Sequence, residues 1–408
     1  LVADAKAYAP STNICTYLSW GPGNSGYLGH IVGAADRAAG KVSSVIGTGN
    51  GPDTGIIVVD PLTLEIRIDK PVQYFLDTMT YPTAAPVEQS LVSKYPGGMW
   101  VRHLDSGGCS GPFMVQSYGN GTQMTLVPNP YWASPRASVV KPLTLTGVVR
   151  PAVTSLDTEY TNYDRAGLYD YTEVPADVYS FARSQSDFHE LASLQTDYFG
   201  LNFHQAPFDN VQVRQAFDLA LNKQYIVDTI EQGGAIPTNH IIPEGMPGFD
   251  PTLTTPGPNP TQSITGNQAA AQTLLHQAQA TCGGSNLATV HDWCPYIVGS
   301  SLQPIKLNVS ESDQTRMRIA TDAVAAWNAT LSLNTQVNPV AGQGIIPVVY
   351  GGNNTYQAWV VGWVADYPDP QDWTTLQFTE GAPDNAGNWS VPGLDSLLAK
   401  ADVDPNPT

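Results

Sequence analysis

One short segment sets the terms for the rest of the chain. QAWVVGWVA, residues 357–365, closes a span in which no Asp, Glu, Lys or Arg occurs between Asp322 and Asp366. An apolar run of this length bounded by polar residues reads as a strand, and because both of its faces are apolar it needs cover on both, as central strands have. Ahead of it Ile305, Leu307 and Val309 alternate as a strand, and Met317, Ala320, Val324, Trp327 and Leu331 recur at helical spacing. The polar strand LNTQVN, residues 333–338, follows. This order of elements predicts a mixed α/β sheet with 357–365 inside it.

Earlier segments add to that scheme. In GIIVVDPLTLEIRID, Val58 and then Leu64, Ile66 and Ile68 alternate with polar neighbours around a Pro61 turn, a hairpin signature. A second hairpin runs through Phe113 and Val115, turns at Gly119-Asn120-Gly121 and returns through Met124 and Leu126. Both are expected in a mixed sheet. From Asp209 the period becomes helical: Asp209 or Asn210 can cap, and Val213, Phe217 and Leu221 share a face with Ala216 and Ala220 beside it. IIPEGMPGFDPTLTTPGPNP, residues 241–260, is too rich in Pro and Gly for regular structure and is expected to cross the surface as a loop.

Size and charge exclude several partners. A chain of 408 residues is longer than a single core usually supports, so two or three domains are expected. Charged residues make up 13% of it, about half the usual ~25%. With 36 acidic against 18 basic residues the net charge is −18, which repels phosphate backbones and argues against nucleic acid as a partner. No apolar run reaches membrane-spanning length and no charged-then-apolar leader opens the chain.

The four cysteines, Cys15, Cys109, Cys282 and Cys294, show no CxxC pair and no metal-finger spacing. Cys282 and Cys294 bracket a polar stretch that one disulfide closes easily, worth ~3 kcal/mol by loop entropy; two reduced thiols are the other reading. The sequons at Asn120, Asn308, Asn328, Asn353 and Asn388 lean toward an exported chain, although Asn- and Thr-rich sequence also makes them by chance.

The candidate functional residue is Asp366, the first charge after the apolar strand. A carboxylate isolated in a core is very costly. It must therefore be solvated at the strand's mouth, paired with a distant cation, or placed to receive a cationic ligand. Ligands of open α/β sheets bind beyond the carboxyl ends of strands, where Asp366 falls. Gly362 would let a ligand backbone approach closely, and Trp363 offers an aromatic wall. Asp366 equally suits the opening of the turn DYPDP.

Four segments, in order and over nearly the whole length, resemble one family: VVDPLTLEIRIDKPVQYFL (58–76), GPFMVQSYGNGTQMTLVPNPYW (111–132), YFGLNFHQAPFDNVQVRQAFDLALNKQYIV (198–227) and GWVADYPDPQDW (362–373). Together they are similar to the extracellular solute-binding proteins of ABC importers, family 5, which include the oligopeptide- and dipeptide-binding proteins. The resemblance implies an α/β periplasmic-binding-protein-like fold of type II, class C, with two lobes around a ligand cleft and a small extra domain. Mapped onto this chain, residues 1–100 form part of the small domain, 101–196 part of lobe I, and 197–408 lobe II. Relatives have further lobe I segments on either side, so the chain is expected to be part of a longer precursor.

The resemblance also assigns roles. Asp366 would take the α-amine of a short peptide, and Gly362, Trp363 and Val364 would hydrogen-bond its main chain. Such edge pairing is indifferent to side chains, while the ammonium–carboxylate pair fixes register. The Arg that helps hold the ligand's C-terminus in oligopeptide-binding relatives is replaced by Val360. The expected partners are a short peptide and the membrane permease subunits of an importer. The protein would be an extracytoplasmic monomer, held at the membrane by a segment outside this chain, with no cofactor and no metal site.

Other functions are expected to leave other traces. A hydrolase nucleophile turn would need the second glycine of G-x-S-x-G, which Gly108-Cys109-Ser110-Gly111-Pro112 lacks. Seven histidines include no HExxH and no tight cluster, so an enzyme is not expected. The same fold could instead carry an oligosaccharide or a metal chelate, though a neutral sugar would need no buried anion at 366, and a surface or adhesion module would bind no ligand at all.

Overall fold

The computed structural model describes residues 27–404 except 48–50, 53, 62, 82–83, 85–87, 97–98, 110, 119–121, 133–143, 154, 254–263, 284–289, 342–343, 353 and 383. The chain divides into two compact units, the first running up to residue 154 and the second from Ser155 to Ala401.

The first unit holds two three-stranded sheets. β1 (Ile46–Gly47) pairs parallel with β2 (Ile56–Asp60), which pairs antiparallel with β3 (Thr63–Ile66). This is the first expected hairpin, with Val58 opposite Leu64. Its core contacts come from Ile56 and Ile57, which are buried, while Val58 and Leu64 face outward. β4 (Phe113–Ser117), β5 (Gln123–Pro128) and β6 (Val148–Pro151) form the second sheet, with Val115 opposite Leu126. The second hairpin thus exists, but in a separate and wholly antiparallel sheet rather than a mixed one; its turn at 119–121 lies outside the described residues. Val115 seals this sheet onto a small core of Leu91, Val92, Trp100, Val101 and Leu104.

The second unit is built on a four-stranded sheet of order β7-β10-β8-β9, with β7 (Gln195–Leu201), β8 (Ile305–Ser310), β9 (Thr335–Val340) and β10 (Ala358–Val364). β10 lies between neighbours, antiparallel to β7 and parallel to β8. On one face it sends Ala358 and Val360 into a core with Ile305, Leu307 and Val309. Helices α1 (Val211–Leu219), α2 (Gln268–Ala280) and α3 (Gln314–Leu331) cover that face. On the other face Trp359 and Val361 pack with Ile345 and Val349 of α4 (Ile345–Val349). Over residues 358–361 both sides of β10 are therefore dry, which is why its sequence does not alternate there.

Local chemistry sets the helix ends. Asn210 caps α1, its side chain accepting from the Gln212 and Val213 amides at 2.8 and 3.1 Å, and Val213, Ala216 and Phe217 turn inward. Asp313 caps α3 through the Arg316 amide at 2.9 Å, and Trp327 lies fully buried with its indole N–H donating to the Phe217 carbonyl at 2.8 Å. Gly200 is needed for packing: a Cβ there would come within 2.0 Å of the Trp359 ring that lies across β7. Residues 241–253 form no helix or strand, as their Pro and Gly content demands.

Cys282 and Cys294 form a disulfide that ties the end of α2 to the following segment. Cys109 is disulfide-bonded as well, so no described cysteine is a free thiol; Cys15 lies outside the described residues. The sequons carry structural roles where they are described. Asn308 is buried, donating to the Ala358 carbonyl and accepting from Asn338. Asn328 brackets Thr335 with two hydrogen bonds, and Asn388 donates to Asn202. Asn120 and Asn353 lie outside the described residues.

Candidate functional site

The site begins where β10 parts from β8. Against β7, β10 is in register over its whole length, from Ala358 opposite Leu201 to Val364 opposite Gln195. Against β8 it is in register only at Ala358 and Trp359, although β8 itself continues beside β9 to Ser310. Among the described residues no strand pairs with that side of β10 beyond this point.

The groups facing the open side follow from the ladder. The Asn202 amide donates to the Gln357 carbonyl at 3.0 Å and the Ala365 amide to the Leu194 carbonyl at 2.8 Å, both toward β7. In an antiparallel pair the direction alternates residue by residue. Trp363 therefore turns its main-chain groups to β7, whereas Gly362 and Val364 turn their N–H and C=O to the open side. Of the three sequence-predicted rail residues, Gly362 and Val364 turn main chain there, while Trp363 has its main chain on β7 and its indole N–H on Asp372. Val364 is exposed and Trp363 half-buried.

Gly362 is also fixed from behind. A Cβ on it would lie 2.1 Å from Asp197 Oδ1 and 2.8 Å from an Arg316 guanidinium nitrogen. Arg316 reaches from the first turn of α3 to Asp197 at 2.6 Å and to Asp313 at 2.8 Å, and this ion pair crosses the face of Gly362. Val360, two residues earlier, is buried in the helical-face core and brings no polar group to the site.

Asp366 is half-buried at the carboxyl end of β10, where the sequence put it. Its backbone N–H donates to Asp372 Oδ2 at 3.0 Å, and the Trp363 indole donates to the same oxygen at 3.2 Å. Asp372 is fully buried at the end of a 3-10 turn, Pro370–Asp372, which Asp369 caps through the Gln371 amide at 2.9 Å. Its other oxygen, Oδ1, has no hydrogen-bond partner. Burial first, and the nearby charge of Asp366 second, push the Asp372 carboxyl up to about 8. Asp384 is pushed up to about 6 for the same two reasons, in the same order.

Aromatic groups close the inner side. Trp363 meets Tyr350 edge-on with ring centroids 5.5 Å apart, and the Tyr350 and Tyr198 hydroxyls share a hydrogen bond at 2.7 Å. Burial drives Tyr198 up to about 12 and Tyr350 well above the ordinary phenol range, so both remain neutral. The site is a partly open strand edge next to three coupled carboxylates and neutral aromatic rings. It suits a ligand with a peptide-like backbone and a positive charge. Asp372 and Asp384 were not singled out from the sequence. The repeat of Asp at 366, 369 and 372 inside one motif was the available signal, but burial of the third member is a tertiary fact.

Comparison with known proteins agrees with this description. Residues 16–385 match the profile of the bacterial extracellular solute-binding proteins, family 5. The periplasmic oligopeptide-binding protein OppA of Salmonella typhimurium is 23% identical over 377 residues, 91% of this chain and 62% of that protein. The deoxycholate-binding periplasmic protein YgiS of Escherichia coli, a probable assignment, is 26% identical over 62% of this chain and 45% of its own. The solved murein tripeptide-binding protein MppA of Escherichia coli superposes with a TM-score of 0.74 at 21% identity, covering 95% of this chain and 69% of that one. The chain thus spans under two thirds of the length of the OppA relative, and the α/β fold it adopts is that of these binding proteins.

Proposed function

The chain belongs to the bacterial extracellular solute-binding proteins, family 5, and from that premise we propose that it captures short peptides with their α-amine on Asp366. The observation that carries this reading is the pairing of an open strand edge at Gly362 and Val364 with an anion immediately beyond it. A peptide laid along the edge gains main-chain hydrogen bonds whatever its side chains. Its ammonium then meets Asp366, a charge-assisted bond that fixes where the first residue lies. The family's members bind solutes rather than transform them.

Within this reading residues 1–100 belong to the small domain, 101–196 to lobe I and 197–408 to lobe II. The protein works outside the cytoplasm, passes its peptide to the permease subunits of an ABC importer, and acts as a monomer tethered by a segment beyond this chain. Among the described residues no helix is long and apolar enough to cross a membrane.

A steroid acid is the competing cargo, given the similarity to YgiS. Its carboxylate would face Asp366, Asp372 and Asp384, which favours the cationic ligand. Calorimetry with free tripeptides, their N-acetylated forms and deoxycholate separates the two: free peptides should bind, and acetylation should weaken them by about 100-fold or more. Equal binding of free and acetylated peptides, or preference for the steroid acid, would overturn the proposal.

A further inference from the structure

The least comfortable group in the second unit is Asp372. Its side chain is fully buried, one oxygen holds two N–H donors, and the other has no partner. A buried carboxylate left half-satisfied costs several kcal/mol as an anion, and the usual escape is to take up a proton. What faces it pushes the same way. Asp366 acts on it from the end of β10 and Asp384 from the segment after the helix Thr375–Phe378, both as like charges. Trp363 contributes only an N–H, Asp369 on its own turn is committed to the Gln371 amide, the buried Tyr367 phenol donates to the Gln371 side chain, and the Tyr198 and Tyr350 hydroxyls are bonded to one another. Arg316, the cation that acts on Tyr350, is held by Asp197 and Asp313.

We propose that Asp372 is a proton store coupled to ligand capture: it carries a proton while the site lacks a ligand cation, and releases that proton to solvent when an ammonium settles among Asp366, Asp372 and Asp384. This rests on the amine-binding reading and deepens it. The step balances as a neutral carboxyl plus a free ammonium giving a carboxylate–ammonium pair plus one solvated proton. The protonated form keeps Oδ2 available to the Asp366 amide and the Trp363 indole, so the loop holds its shape without ligand. The ionised form gains the partner that Oδ1 lacks. Acidification would then favour release of cargo, and neutral to mildly alkaline conditions would favour capture. The tuning agrees: with the Asp372 carboxyl up to about 8, the exchange operates near neutrality.

The test is calorimetry of the chain with tri-alanine at pH 7.0 in phosphate and in Tris, whose different ionisation heats report protons exchanged. The wild type should release about 0.5–1 proton per peptide bound, because Asp372 is then mostly protonated and the peptide amine, of ordinary pKa ~8, is mostly charged. Affinity should rise between pH 6 and 7, by up to about 10-fold. Asp372→Asn should lose most of that release at pH 7 and keep only the smaller dependence that Asp384, raised to about 6, contributes toward pH 6. Binding without proton release, or equal release by Asp372→Asn, would overturn the proton store while leaving amine capture intact. Equal binding of N-acetylated tri-alanine would instead remove amine capture and the store with it. Independently of any peptide, the Asp372 carboxyl carbon, assigned by comparison with Asp372→Asn, should titrate in NMR near pH 8; a midpoint near 4 would refute the proposal.

Discussion

Two groups of carboxylates lie in the unit built on the four-stranded sheet and have been dealt with in opposite ways. Asp197 and Asp313 share the Arg316 guanidinium, which reaches both within 2.8 Å and thereby ties the start of α3 to β7. Asp366, Asp372 and Asp384 act on one another, and the charges acting on Asp372 and Asp384 are carboxylates alone. The first group is a finished structural joint, each carboxylate bonded to the same guanidinium. The second contains the Asp372 oxygen Oδ1 that has no hydrogen-bond partner, and Asp366 in it follows the stretch of β10 whose β8 side no strand pairs among the described residues. A buried carboxylate that costs stability is where a ligand cation can contribute most.

If that contrast is right, removing a charge from each group should have unlike consequences. Asp366→Asn should retain the fold but weaken binding of free peptides by about 10²–10³-fold, or about 3–4 kcal/mol, because the ligand's ammonium loses the anion it pairs with; titration calorimetry on the two proteins measures it. Asp372→Asn should act on stability. The folded pKa is raised, so the folded state binds more protons than the unfolded chain between about pH 4 and 8. Stability is therefore fully present below pH 4 and is lost as pH rises toward 8. Replacing Asp372 with Asn should remove that loss, a gain of a few kcal/mol at pH 8 and little at pH 4, visible as a flatter dependence of Tm on pH.

Within the balanced group the effects should be smaller. Gly362→Val puts a side chain against the Asp197–Arg316 pair and should cost about 1–3 kcal/mol by denaturant unfolding, since one partner must shift. Asp313→Ser keeps a capping oxygen for α3 and removes one of two anions on Arg316, so its cost should stay under about 1 kcal/mol. A loss from Asp313→Ser as large as that from Gly362→Val would mean the Arg316 joint depends on both anions.

Much of the sheet could be read in advance because it rests on local pattern. The doubly apolar 357–365 segment had only one place to go, between strands and under cover on both faces. The Val213–Ala216–Phe217 stripe and the Asn210 cap carry their own instructions, as does the alternation at Ile305, Leu307 and Val309. What escaped was set by contacts distant in sequence. Val58 and Leu64 keep the alternation but are exposed, whereas Ile56 and Ile57, adjacent and so on opposite faces of β2, are both buried, which no alternation in the sequence announces. Gly362 suggested room for a ligand, yet the ion pair between Arg316 and Asp197 also demands it, and no spacing in the sequence brings those residues together. Asp366 stood out through its solitude, while Asp372 was hidden in a turn motif whose burial only the folded chain reveals.

The central claim is that the open edge of β10 and Asp366 form one amine-anchored peptide site. A crystal structure of the chain with tri-alanine tests it most directly. The account predicts the ligand's ammonium within about 3 Å of the Asp366 carboxylate. Its main chain should bond to Gly362 and Val364 but not to the main chain of Trp363. An ammonium bound elsewhere, or a peptide that leaves the Gly362 edge untouched, would contradict it.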